Sequence, residues 1–141
     1  MLKKEELDKI SDSIRLVESK TSGEIRVYVA KYCKGSPLET AYKLFHQYKM
    51  NETELLNGVL IYVSTMDNKA AIYADEGINL LTHEPDFWKE TLDLMLFYFK
   101  KGLIKEGLCK GVSKVGKVLK AHFPASENDI NILDNEVIIE E

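Results

Sequence analysis

Apolar positions recur at spacings of three and four near the start of the chain. Leu7, Ile10, Ile14 and Val17 fall on one stripe and predict an amphipathic helix over residues 3 to 20, ended by Thr21, Ser22 and Gly23. The period then changes to two. Ile25, Val27 and Val29 alternate with Arg26 and Tyr28, which predicts a strand over 24 to 32 with one face drier than the other. After the Lys34-Gly35 turn, Ser36 is placed to cap a helix, with Pro37 at its first position and Glu39 completing a capping box. Ala41, Leu44, Phe45 and Tyr48 form the core stripe of that helix, and the polar residues around Asn51 and Thr53 end it.

From Gly58 to Val63 the alternation vanishes, as expected for a central strand covered on both faces. Asp67-Asn68 separates it from Lys69–Ala74 by a spacing that suits a hairpin and is too short for a parallel crossover. Trp88, Leu92, Met95, Leu96 and Phe99 mark a helix opened near Pro85 and stopped at Gly102. Leu108, Val112, Val115 and Leu119 mark a last one, with Pro124 just beyond it. Gly107, Gly111 and Gly116 each weaken that helix by about 1 kcal/mol relative to Ala, so close packing against a neighbour is expected to compensate.

Two strands joined by a helix lie parallel, and the hairpin reverses the third. The expected fold is therefore α/β: a three-layer-like sandwich whose small mixed sheet is covered by about four helices. Residues 1–124 form one domain. Residues 125–141 form an acidic, loosely docked tail in which Val137-Ile138-Ile139 can add an edge strand.

Composition supports a folded globule, with 45% hydrophobic and 30% charged residues in a chain of 141. The longest apolar run, Val59 to Val63, is far below the roughly 20 residues that span a bilayer as a helix. The first fifteen residues mix Leu and Ile with Lys, Asp and Glu rather than forming an export signal, so the expected location is the cytoplasm, with Cys33 and Cys109 as free thiols. A net charge of −4 argues against nucleic acid or an anionic membrane as partner.

The predicted chain directions bring the starts of the first two strands and the end of the third to one edge of the sheet. That edge gathers Ser22, Gly23, Glu24, Asn57, Asp75 and Glu76. Glu24, Asp75, Glu76 and the Asn57 amide are hard oxygen ligands of the kind Ca²⁺ or Mg²⁺ takes, and Gly23, Gly58 and Gly77 let backbone come close. The plainer alternative is a set of solvated acidic residues at strand ends beside an Asn57-Gly58 turn.

Ser22-Gly23-Glu24-Ile25-Arg26-Val27, Asn57-Gly58-Val59-Leu60, Asp67, Gly77, Lys101-Gly102 and Glu106-Gly107-Leu108 follow one another in an order and spacing that resembles the TPM domain family over about residues 5 to 123. The resemblance implies a compact α/β sandwich and, from certain plant thylakoid-lumen members, acid phosphatase activity and divalent-metal binding. Leu56 stands where the family often carries an acidic residue, and the family's Gly-x-Gly-x-Glu pattern appears as Asp75-Glu76-Gly77-Ile78-Asn79. The likeness is to a short branch without the usual leader and anchor.

Other motifs fall away on context. Gly111 to Lys117 matches most of a phosphate-binding loop, but Val118 replaces the magnesium-holding hydroxyl and the stretch reads as mid-helix. Asp129, Asn131 and Glu140 have calcium-loop spacing, with Asp134 where Gly is required. Cys33 and Cys109 would need a base from His46, His83 or His122 to act as nucleophiles, and they read as apolar fillers. Lys110, Lys114 and Lys117 share a helix face that reads as solvated. The sequence thus points to a cytoplasmic module with an unidentified protein partner and weak divalent-cation binding. The alternative is a metal-assisted phosphomonoesterase in which Glu24 or Asp75 orients the attacking water.

Overall fold

The computed structural model describes residues 2–82, 87–125 and 137–140. His83, the expected helix opening at Pro85, and the calcium-loop positions Asp129, Asn131 and Asp134 lie outside them. Helix α1 spans Lys4–Glu18 and buries Ile10 and Ile14. Strand β1 runs Glu24–Ala30. Helix α2 spans Pro37–Gln47, and the Ser36 hydroxyl accepts the Glu39 N–H at 3.3 Å, the cap its sequence predicts. A single 3₁₀ turn at Met50–Glu52 follows. Strands β2 (Gly58–Ser64) and β3 (Lys69–Ala74) make the hairpin, with Asn68 at φ 51° in its turn. Helices α3 (Glu76–Thr82), α4 (Lys89–Phe99) and α5 (Ile104–His122) come next, and β4 (Val137–Ile139) closes the sheet.

The sheet order is β3-β2-β1-β4. β1 and β2 are parallel, β2 and β3 antiparallel, as the connections require, and β4 adds parallel to β1. The stretch 137–139 of the acidic tail is therefore part of the sheet. Five α-helices are described rather than about four, the extra one being α3, a short helix that starts just after Asp75 and that the hydrophobic pattern does not predict.

Helices cover both faces of the sheet. On one face Ile25, Val27, Val59, Ile61 and Ile72 pack with buried residues of α1, α3, α4 and α5. On the other, Tyr28, Leu60, Tyr62 and Ala71 pack with Ala41 and Phe45 of α2 and with Met50. Both faces of β1 are thus covered and all seven of its residues are buried, which corrects the expectation of a drier and a wetter face. The alternation of Arg26 and Tyr28 with aliphatics marks two different interiors, not inside and outside.

The glycines of α5 behave as their spacing requires. A Cβ at Gly107 would lie 2.6 Å from the Phe99 ring, at Gly111 2.5 Å from Met95 Sδ, and at Gly116 2.5 Å from a Val17 methyl. α4 and α1 thereby approach α5 more closely than a side chain would permit. Among the described residues no helix is long and apolar enough to cross a membrane.

Candidate carboxylate site at the sheet end

Three segments converge at the end of the sheet where β1 and β2 begin and β3 finishes. Glu24 N–H donates to Asn57 O at 3.3 Å and Asp75 N–H donates to Gly58 O at 3.0 Å, so Glu24, Gly58 and Asp75 sit in register across three neighbouring strands. Strand alternation assigns Glu24 and Asp75 to the α2 face, with Gly58 between them carrying no side chain. The carbonyl of Met50 occupies that gap: a Cβ on Gly58 would meet Met50 O at 2.9 Å. The predicted chain directions therefore bring Glu24 and Asp75 to one end of the molecule.

Asn57 ties the segments together. Its N–H donates to Thr53 Oγ1 at 3.1 Å and its Nδ2 to Ser22 Oγ at 3.3 Å. Ser22 in turn is fixed by its N–H bonding Phe123 O at 2.9 Å, while the Thr21 hydroxyl donates to the same carbonyl. The end of α5 thus anchors the start of β1.

Asp75 opens α3. Its Oδ1 accepts the Glu76 N–H at 2.8 Å, and its main-chain carbonyl accepts the N–H groups of Ile78 and Asn79. Gly77 lets this turn press onto the loop before β2: its N–H donates to Leu56 O at 2.9 Å, and a Cβ there would fall 2.2 Å from Leu55 O. Leu56 adopts φ 50°, in the left-handed region, to present that carbonyl.

The proposed ligands differ sharply in exposure. Glu24 is 5% exposed, Asn57 1% and Asp75 7%, whereas Glu76 faces solvent. Asp75 Oδ2 is buried with no hydrogen-bond partner among the described residues. Among those residues, no three or more His, Cys, Asp or Glu side chains are grouped so as to hold a metal ion. The arrangement is two buried carboxylates beside main-chain carbonyls, with Glu76 outside.

Sequence reasoning passed over Arg26 and Thr53. Arg26 is 7% exposed on the same face as Glu24, its guanidinium carbon 5.6 Å from the centre of the Tyr48 ring. The available signal was a charged residue inside an otherwise apolar strand. Of the remaining sequence candidates, His122 closes α5 next to Phe123, whose carbonyl accepts the Ser22 N–H, and so lies beside this end. Cys33 Sγ lies among the Lys34 and Gly35 carbonyls and Thr40 Oγ1, and the Gly111–Lys117 stretch is inside α5 with Lys110, Lys114 and Lys117 exposed.

The BA42 protein of the psychrophilic bacterium Bizionia argentinensis, solved by NMR, is similar with a TM-score of 0.89 and 41% identity, over 99% of this chain and 96% of that one. The N-terminal domain of a P. gingivalis protein shares the fold at a TM-score of 0.69 and 19% identity, over 86% of this chain and 78% of that one. No curated protein matches the sequence. The family profile described as TPM domain matches residues 1–118, and the chain belongs to that family.

Proposed function

We propose that this chain is a cytoplasmic TPM module that holds a divalent cation weakly at the carboxylate end of its sheet and works mainly through protein contacts. The observation that supports the cation is Asp75 Oδ2, a buried carboxylate oxygen without a hydrogen-bond partner among the described residues. Leaving such an oxygen unsatisfied costs about 1–3 kcal/mol or more, which a cation would offset. The Glu24 and Asp75 carboxylates and the Asn57 amide oxygen would supply hard donors, Glu76 the outer one, and water the rest. So small a carboxylate set implies dissociation constants of about 10⁻⁴–10⁻³ M. Free Cys33 and Cys109 accord with a reducing compartment.

Titration with Ca²⁺ or Mg²⁺, followed by backbone amide resonances, tests this. Glu24, Asn57 and Asp75 should shift and saturate in the millimolar range, and Asp75→Asn should abolish the shifts while keeping the rest of the spectrum. Resonances that stay still in the wild type defeat the cation reading. Turnover of p-nitrophenyl phosphate that collapses in Asp75→Asn would instead make the site a phosphomonoesterase.

A further inference from the structure

We propose that the pocket at the opposite end of the sheet, where β1, β2 and β4 finish, binds a small anionic amphiphile: one carboxylate head on a compact apolar body of about ten heavy atoms. The pocket is separate from the carboxylate end, and the inference does not depend on the cation.

Chain direction creates this end. β1 runs parallel to both neighbours, so their carboxyl ends finish together, with Ala30 opposite Ser64 of β2 and Val29 opposite Ile139 of β4. α2, which leads from β1 to β2, packs on one face of the sheet, and α5, which precedes β4, packs on the other. Where the connections of adjacent parallel strands diverge in this way, a crevice that can take a ligand opens outside their carboxyl ends. The main chain there is already paired. Thr65 N–H donates to Ala30 O at 2.9 Å, Met66 N–H to Lys31 O at 2.8 Å, and Glu140 N–H to Val29 O at 2.8 Å. An occupant is therefore recognised through side chains rather than by adding a strand.

Leu2 and Leu7, at the start of α1, join Val29, Met66 and Ile139 in lining a pocket of about 290 Å³. Val29 is buried, Leu2 and Leu7 are partly exposed, and Ile139 and Met66 are 41% and 62% exposed, so apolar surface continues from the sheet out to solvent. At roughly 30 Å³ for each water-sized atom, the volume takes about ten such atoms, at the lower end of small-molecule sites. Charge selects the head. Lys31 and Glu140 are the only charged residues of the lining. Glu140 shares the strand parity of Tyr28 and Ile138, which turns its side chain to the α2 face, where Oε1 accepts the Tyr28 hydroxyl at 3.3 Å. Lys31 is exposed, and its ammonium makes no hydrogen bond or ion pair among the described residues. An apolar pocket with one uncommitted ammonium is complementary to a single anionic group on an apolar body.

Straight-chain fatty acids measure the pocket. The full chain in EDTA is titrated with acids from hexanoate to tetradecanoate, each below its micelle concentration, and followed by backbone amide resonances. The amides of Val29, Lys31, Met66 and Ile139 should shift, and affinity should rise about fourfold for each added methylene until the pocket is full, then level off near decanoate. Leu7→Trp, at a partly exposed helix position, should move that plateau to shorter acids. Lys31→Gln should weaken octanoate about tenfold and leave octan-1-ol unchanged, a difference that a merely apolar pocket would not produce. Asp75→Asn should leave every one of these values as it is, which separates this pocket from the cation site. Resonances that do not move, an affinity that climbs through the longest acid as surface adsorption would, or an equal effect of Lys31→Gln on acid and alcohol overturns the proposal. So does a dimer in sedimentation of the free chain with the Met66 and Ile139 amides protected from exchange, which would make a second copy the occupant.

Discussion

Backbone proximity at single residues sets the shape of the carboxylate end. At Gly77 the first turn of α3 lies so near Leu55 and Leu56 that any side chain must displace backbone, since the nearest carbonyl would be 2.2 Å from Cβ. Gly77→Ala should therefore destabilise the protein by about 1–3 kcal/mol despite improving helix propensity, read from the urea midpoint. Asp67 shows the electrostatic counterpart. The Ser64 hydroxyl and then the Cys33 N–H, which donates to Oδ2 at 3.0 Å, hold its carboxyl below the ordinary value of 3.8. A lowered folded-state value means stability that is present above that ordinary value and is lost as pH falls through the folded one. Asp67→Asn should accordingly flatten the acid limb of the stability curve below about pH 4, measured by denaturation at a series of pH values. An acid limb identical to that of the wild type would show that the turn does not discriminate the charged form.

At the scale of elements, the contact between α4 and α5 depends on what α5 lacks. Replacing glycine by alanine in a helix normally gains about 1 kcal/mol, but at Gly111 the new methyl meets Met95, whose side chain is fully buried. Gly111→Ala should lower stability by about 1–3 kcal/mol, and Met95→Ala combined with it should cost less than the two changes summed, a coupling measurable by a double-mutant cycle. Much of this architecture is legible in the sequence: the α1, α2 and α5 stripes, the Ser36 cap, the β2–β3 hairpin and the glycine contacts all follow from local pattern. Helix α3 is not legible, because seven residues containing Gly77 show too little periodicity, and the helix exists through docking on the Leu55-Leu56 loop. The candidate site divides in the same way. Chain direction alone places Glu24, Asn57 and Asp75 at one end, since strand order fixes it. That Asp75 is buried and Glu76 is not depends on α3, so the sequence could not rank them as ligands.

Taken as a whole, the molecule closes its sheet late in the chain, with β4 returning beside β1. The Tyr28 hydroxyl donates to Glu140 Oε1 at 3.3 Å just past β4, and burial together with the nearby Glu140 charge pushes that phenol from 10.0 up to about 12. Burial raises Tyr62 and Tyr73 as well, with the Cys33 thiol and the Asp75 charge as their respective next causes. A raised folded-state value gives stability that is complete below pH 10 and falls as pH climbs through the folded value. Thermal melts between about pH 10 and pH 12 should show that decline, and Tyr28→Phe should make it shallower. An unchanged alkaline slope would mean that β4 is not held through this phenol.

Sheets with open borders are prone to polymerise, because unpaired backbone on one molecule accepts the border of the next. The two borders here avoid that by different means. β4 offers only three residues, too short a template to propagate, while β3 is longer and carries no proline, its one charge being Lys69 at the first position. For β3, protection falls to the flanking helices, which act as fenders against a neighbouring sheet. Solubility at high concentration should thus depend on how firmly α4 is seated: a core change such as Phe99→Ala, which loosens that helix, should shorten the lag before fibrils bind thioflavin even while most molecules remain folded.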